Sequence, residues 1–330
     1  MRLKEIQKTK RRLCSTVQDF SKRDISRQIG EPSVVLPKEA VRRRIMRVIA
    51  EPALRWQQAR IQRSMPLPLD IPFDFLCIED RFGTDVSLAR LLSRTRREHI
   101  GRVLVPGCYV GGDDVQFWLR RGVKELEGVD VYSLQERWDQ ITPRLASHFG
   151  ARVHFQQASI EALPFPDDSF DLVCTSAVLE HVRNLRAMVE ETARVLRPGG
   201  WAWHCFGPLY YAFGADHCIA AYGDAAGYDH LLLPEHEYQQ RIRNQPFFDQ
   251  HPDPNLPFWA LNDQFSFATA REYLGEFERC FHFDQVVVKM TQKGLSYRRQ
   301  FPGKWAELLN AGVAENDLLI KSMAVVLRKK

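Results

Sequence analysis

The sequence predicts an α/β fold built on a parallel sheet, and three observations predict it. From residue 102 onward, short apolar runs alternate with segments of helical periodicity, which is the pattern of βαβ units. Residues 102–132, RVLVPGCYVGGDDVQFWLRRGVKELEGVDVY, order a strand, a glycine-rich turn, a helix and a second strand ending in an acid. Residues 196–200, LRPGG, close a helix and turn the chain into another strand.

The elements follow in chain order. Residues 1–30 are polar and basic, with Leu3, Ile6, Leu13 and Val17 roughly on one helical face. Residues 38–63 are again helical, with Val41, Ile45, Val48 and Ile49 at i, i+4, i+7 and i+8. Pro66, Pro68 and Pro72 punctuate a linker, and proline marks an element boundary there. Residues 84–99 form a further helix through Leu88, Leu91 and Leu92. The predicted strands are 102–106, 125–131, 152–157, 171–177 and 201–206, with helices near 112–122, 134–148 and 183–196. After residue 208 the alternation stops, and 208–262 reads as irregular. A helix near 269–279, a strand at 283–290, a short helix near 303–310 and a strand at 322–328 complete the chain.

Composition narrows the function classes. The chain has 330 residues, 45% hydrophobic and 26% charged, as in an ordinary globular protein. No apolar run approaches the ~18–20 residues that cross a bilayer. An apolar signal-peptide core is also lacking at the N-terminus. Seven scattered cysteines without a C-x-x-C pair point to buried thiols in a reducing, cytoplasmic setting. Charge is uneven: residues 1–63 hold 17 Lys/Arg against 6 Asp/Glu, net +11, and the remainder holds 29 against 35, net −6.

The turn in 102–132 carries the first chemical signal. Gly107, Gly111 and Gly112 let backbone approach a ligand closely, because glycine accepts positive φ and has no Cβ. Asp130 ends the following strand, where a carboxylate accepts hydrogen bonds from ribose hydroxyls. Tyr109 stands where the dinucleotide motif G-x-G-x-x-G needs glycine. The looser turn suits a cofactor without phosphates, such as S-adenosylmethionine. Two further motifs follow: Leu163-Pro164-Phe165-Pro166 leading through Ser169-Phe170-Asp171 into a strand, and Val178-Leu179-Glu180-His181 after that strand.

Taken together, Val103–Gly111, Asp130, Leu163–Asp171, Val178–His181 and Leu196–Gly200 resemble class I S-adenosylmethionine-dependent methyltransferases, nearest to their type 11 branch. The resemblance covers roughly residues 100–206 and the two late strands. It implies a Rossmann-like, doubly wound, seven-stranded sheet whose last strand is antiparallel. It divides the chain into a basic helical extension or cap (1–99) and a methyltransferase domain (100–330) with a substrate lid at about 208–262. It also implies roles for individual residues. Gly107, Tyr109 and Gly111 approach the methionine part of the cofactor, Asp130 takes the ribose hydroxyls, and Ser159 and Ile160 border the adenine. Thr175 and Ser176 face the sulfonium. The chain departs from the family at Val105, where an acid is usual, at Tyr109, where glycine is usual, and at Ser159, where Asp is usual. Asp113 and Asp114 are candidates to replace the missing acid.

Methyl transfer from a sulfonium is an in-line displacement that mainly needs alignment. An oxygen acceptor also needs a base, and histidine suits that role near neutral pH. His181, at the end of the fourth predicted strand, is one candidate. His217 and His230, each beside an Asp in the lid, are two more. No metal is expected, because the spacing of the lid histidines fits no zinc pattern. Residues 201–267 hold 15 of the 36 Phe, Trp and Tyr, with Tyr210, Tyr211, Phe213, Tyr222 and Tyr228 as candidate walls of an acceptor pocket. The expected activity is methyl transfer to an oxygen of a small molecule or glycan. A nucleic-acid acceptor gripped by the basic N-terminus is the less favoured alternative. A non-catalytic scaffold of the same fold is the other. The sequence fixes neither the acceptor nor the oligomeric state.

Overall fold

The computed structural model describes residues 52, 55–63, 69–78, 81–95, 100–216, 223–243 and 265–330. The basic segment before residue 52 and the positions His217 and Tyr222 lie outside these residues. Eight strands form one sheet. They are β1 (Phe75–Ile78), β2 (Arg102–Pro106), β3 (Glu125–Asp130), β4 (Arg152–Gln157), β5 (Phe170–Ser176), β6 (Leu196–Phe206), β7 (Phe281–Met290) and β8 (Ile320–Lys329).

The spatial order is β1-β7-β8-β6-β5-β2-β3-β4. All neighbouring pairs are parallel except those of β8, which runs antiparallel to both β6 and β7. The chain winds outward from β2 to β3 and β4, then returns to β5 on the other side of β2. That reversal is a topological switch point, and the crevice outside the strand ends there is where α/β sheets bind ligands.

The doubly wound sheet with an antiparallel late strand is the architecture the sequence implied, but with eight strands instead of seven. The additional one is β1, whose register places Cys77 opposite Lys289. Its four residues follow a proline-rich stretch, and its pairing partner lies some two hundred residues away. Local periodicity therefore carries no sign of it. β6 also begins earlier than expected, at Leu196. The Pro-Gly-Gly segment is drawn into the strand edge, and the register shifts between Phe170 and Leu172 to absorb it.

Alternation along the central strands fills two cores. Leu104, Val173 and Ala202 face a layer containing Met188, Val189, Tyr273 and Phe277, carried by the helices Leu185–Val195 and Ala270–Cys280. Val103, Val105, Leu172, Cys174 and Trp203 face Leu91, Val115, Trp118, Trp138 and Ile141 on the other side. Each such large side chain contributes roughly 1.5–3 kcal/mol when fully buried. Caps define the helix starts that meet the site. Asn184 accepts from Ala187 N, and Thr269 forms a capping box with Glu272, satisfying amides a helix leaves unpaired.

Residues 208–262, read as irregular from sequence, contain short helices in their described part: Asp229–Leu232 and Glu235–Arg243. The helix Gln292–Gln300 is likewise additional to the sequence reading. It is strongly polar and buries few residues, Gly294 and Tyr297 among them, so its apolar stripe is too thin to register.

Candidate functional site

The turn after β2 is built by close packing. Gly107 has φ +69°, and a Cβ there would lie 2.3 Å from Val178 Cγ2, so no side chain fits. Its amide donates to Val129 O at 2.7 Å, pinning the turn to β3. Gly111 has φ +73°, and a Cβ would lie 2.9 Å from the Phe155 ring. Tyr109 adopts φ +45°, a conformation that costs a non-glycine residue roughly 1–2 kcal/mol. Two hydrogen bonds offset that strain. Tyr109 N donates to Asp130 Oδ2 at 2.9 Å, and Trp138 Nε1 donates to Tyr109 O at 2.7 Å. Trp138 is thus a part of the turn that sequence reasoning missed.

Asp130 sits at the end of β3, only 7% exposed. Its other oxygen accepts from Tyr132 N at 3.1 Å. Burial raises its pKa to about 6, opposed by the amides of Tyr132, Tyr109 and Val131. Each carboxylate oxygen has two acceptor sites, so both retain capacity beyond these amides. A buried acid at the switch point beside a turn of positive-φ glycines fits an adenosyl cofactor: Asp130 would hold the ribose, and the turn the amino-acid end.

Beyond β4, Ser159 Oγ accepts from Glu161 N at 3.1 Å, so its hydroxyl caps its own turn. Ile160 is buried with Val129, Leu163 and Leu179. Glu161 was not anticipated. Its Oε1 accepts from the amides of Arg183 and Asn184, each at 3.0 Å, tying the loop after β4 to the turn after β5.

That second turn carries the acid–histidine pair. Ala177 takes φ +54° and donates its amide to Cys205 O at 2.8 Å. The short turn Leu179–His181 follows. The His181 ring packs 5.8 Å from the Phe265 ring. Beside it opens a groove of about 400 Å³, lined among others by Arg183, Arg186, Phe265, Ser266 and Glu272. Glu180 points inward, 1% exposed, with neither carboxyl oxygen in a hydrogen bond of normal geometry. Burial raises its pKa to about 8, and the amides of Glu180 and Gly207 offset that only in part.

Residues 104–204 match a family model described as a methyltransferase domain. The matched span runs from β2 into β6. It includes the turn after β2, Asp130, the Glu161 loop and the Glu180-His181 turn. Among curated proteins, the uncharacterized methyltransferase YcgJ of Bacillus subtilis is 35% identical over 119 residues, which is 36% of this chain and 44% of that protein. The ubiquinone/menaquinone biosynthesis C-methyltransferase UbiE of Hahella chejuensis is 48% identical over 52 residues, 16% of this chain and 21% of that protein. The chain therefore spans less than half the length of these relatives. The crystal structure of Bacillus subtilis YcgJ is 20% identical, covers 74% of this chain and 97% of its own, and has a TM-score of 0.41. The fold assignment rests on the sheet order.

The remaining expected site residues occupy varied settings. The Thr175 side chain is buried and shares a 2.8 Å hydrogen bond with His204 Nδ1. The His204 ring stacks on Phe277, and burial lowers its pKa to about 3. His230 is buried, with Nε2 2.8 Å from Tyr210 O. Tyr210, Tyr211, Phe213 and Tyr228 are buried in the core instead of lining an open pocket; Tyr210 meets the Tyr211 and Phe267 rings, and Phe213 and Tyr228 meet Tyr297. Of the three candidate bases, the structure puts His181 beside the groove and His230 in the core, and His217 lies outside the described residues. Among the described residues, no group of three or more His, Cys, Asp or Glu comes together as metal ligands, and no helix is long and apolar enough to cross a membrane.

Proposed function

We propose that the protein transfers a methyl group from S-adenosylmethionine to an oxygen of a small molecule or glycan, with His181 as the general base. The observation that carries the proposal is the joining of the Gly107–Gly111 turn to Asp130 at the switch point, inside the span that matches a methyltransferase domain. When bound, the cofactor supplies an activated methyl group. The chain's share is to hold the adenosyl part through Asp130, to shape the amino-acid end through the backbone of Gly107, Tyr109 and Gly111, and to accept the acceptor's proton at His181. Ser159 and Ile160 belong beside the adenine because they follow β4 at the same sheet edge.

The acceptor atom rests on His181 and the groove beside it, since the UbiE relative is named a C-methyltransferase. The groove's volume suits a small acceptor. Its lining by Arg183, Arg186, Glu272 and Glu276 suits one with several polar groups.

Calorimetry with S-adenosylmethionine tests the first half. Asp130→Ala should weaken binding at least tenfold, and Asp130→Asn, which keeps one acceptor, should weaken it less. Wild-type protein that takes up no cofactor would sink the proposal. Incubating metabolite extracts with methyl-labelled cofactor tests the second half. His181→Ala should lower label transfer by roughly a hundredfold, the usual contribution of a general base, with cofactor affinity nearly intact.

A further inference from the structure

Beneath the helix Arg81–Arg94, on the sheet face opposite Thr175 and His204, three polar side chains from separate elements converge. Lys289 of β7 is only 8% exposed. Its ammonium donates to Thr84 Oγ1 and lies 3.8 Å from Cys205 Sγ of β6. Thr84 Oγ1 is itself 3.4 Å from that sulfur. Among the described residues, Thr84 and Cys205 are the side chains bonded to this ammonium, and no carboxylate pairs with it. The helix presses closely on the cluster: a Cβ on Gly83 would lie 3.1 Å from Lys289 Cε and 2.9 Å from Cys77 Sγ. Cys205 keeps partial exposure, while Cys77 is buried.

Methyl transfer makes no use of this cluster. A buried lysine bonded to a half-buried thiol has a chemistry of its own. An enclosed nucleophile held against an electrophilic centre reacts at an effective concentration that no dissolved competitor matches. An oxidised thiol provides that centre, because a sulfenic acid condenses with thiols and with nitrogen.

We propose that Cys205 and Lys289 form an oxidative modification site, joined by a sulfur–nitrogen bridge when the thiol meets a peroxide. In the first step peroxide transfers one oxygen to the Cys205 sulfur, and one water leaves. In the second, the Lys289 amine, as its free base, attacks that sulfur. The S–N bond forms, the S–O bond breaks, and the departing hydroxide takes the amine proton as a second water. Thiol, amine and peroxide thus give the bridge and two waters. The lysine stem is flexible enough to close the 3.8 Å gap. The bridge links β6 to β7 across β8 and sits under the strand end whose carbonyl, Cys205 O, holds the Ala177 amide. It gives the acceptor-side turn a covalent anchor that thiols reverse.

The test treats the purified full chain with hydrogen peroxide, digests it and reads the peptides by mass spectrometry. The expected product is a cross-linked pair of peptides containing Cys205 and Lys289, two hydrogens lighter than the two free peptides together. It disappears after dithiothreitol and is absent from Cys205→Ser and Lys289→Arg. Recovery of Cys205 as sulfinic acid with Lys289 free overturns the proposal, as does a Cys77–Cys205 disulfide. The readout is independent of methyl transfer, so either proposal can fail alone.

Discussion

Glu180 sits in an environment far from its solution chemistry. Its buried carboxyl has no normal hydrogen bond, and its pKa is raised from 4.5 to about 8. Between those values the folded chain holds a proton that the unfolded chain has lost. Stability from this group is therefore complete at acid pH and declines as pH rises toward 8. The shift corresponds to on the order of 5 kcal/mol. Glu180→Gln keeps the shape of the neutral acid and removes the titration. It should raise the thermal midpoint at about pH 9 and leave it nearly unchanged near pH 5; equal effects at both would show that Glu180 is not held neutral. Sequence displayed the Glu180-His181 pair but not which member is buried. That outcome depends on Gly207 and Ser266, which close over Glu180 from later in the chain, the latter by donating its amide to Glu180 O. Ser159 shows the same limit, because its hydroxyl is engaged by a neighbouring amide.

At the scale of elements, the glycine turn was legible and its support was not. Gly107, Gly111 and Asp130 stand out because their chemistry is local. Trp138 lies on the helix Gln135–Phe149 and reads as one more apolar position. Its N–H to Tyr109 O is what lets a tyrosine occupy a position that favours glycine. Trp138→Phe retains an aromatic ring against Phe155 and deletes the donor. The lost hydrogen bond should cost about 1 kcal/mol. Amide hydrogen exchange over residues 107–111 should quicken while the helix Leu185–Val195 keeps its protection. Unchanged exchange in the turn would mean that the Asp130 bond alone holds it. The long buried strands were visible for the opposite reason: flanked by helices on both faces, they read as continuous apolar runs.

Across the whole molecule, the arrangement that sequence could not supply is the join between the N-terminal segment and the sheet. The prolines at 66, 68 and 72 suggested an element boundary, and the resemblance set residues 1–99 apart as a basic helical extension or cap. In the structure β1 pairs with β7, and residues 55–63 form a helix packed against that edge. Gln58 Oε1 accepts from Leu76 N at 3.3 Å, giving an edge-strand amide a partner, and Ile61 is 2% exposed in the same core as Leu76, Met290 and Leu327. An exposed parallel edge invites association with other chains, and a covering helix prevents it. We propose on these contacts that the described residues between 55 and 94 fold with the rest of the sheet as one cooperative unit. Ile61→Ala then removes a core side chain, at a typical cost of about 2–4 kcal/mol. In denaturant the variant should unfold in one transition, shifted to lower concentration, with tryptophan fluorescence and far-ultraviolet circular dichroism coinciding. A new early transition, with the main one left in place, would instead make this segment a unit that docks on the sheet without stabilising it.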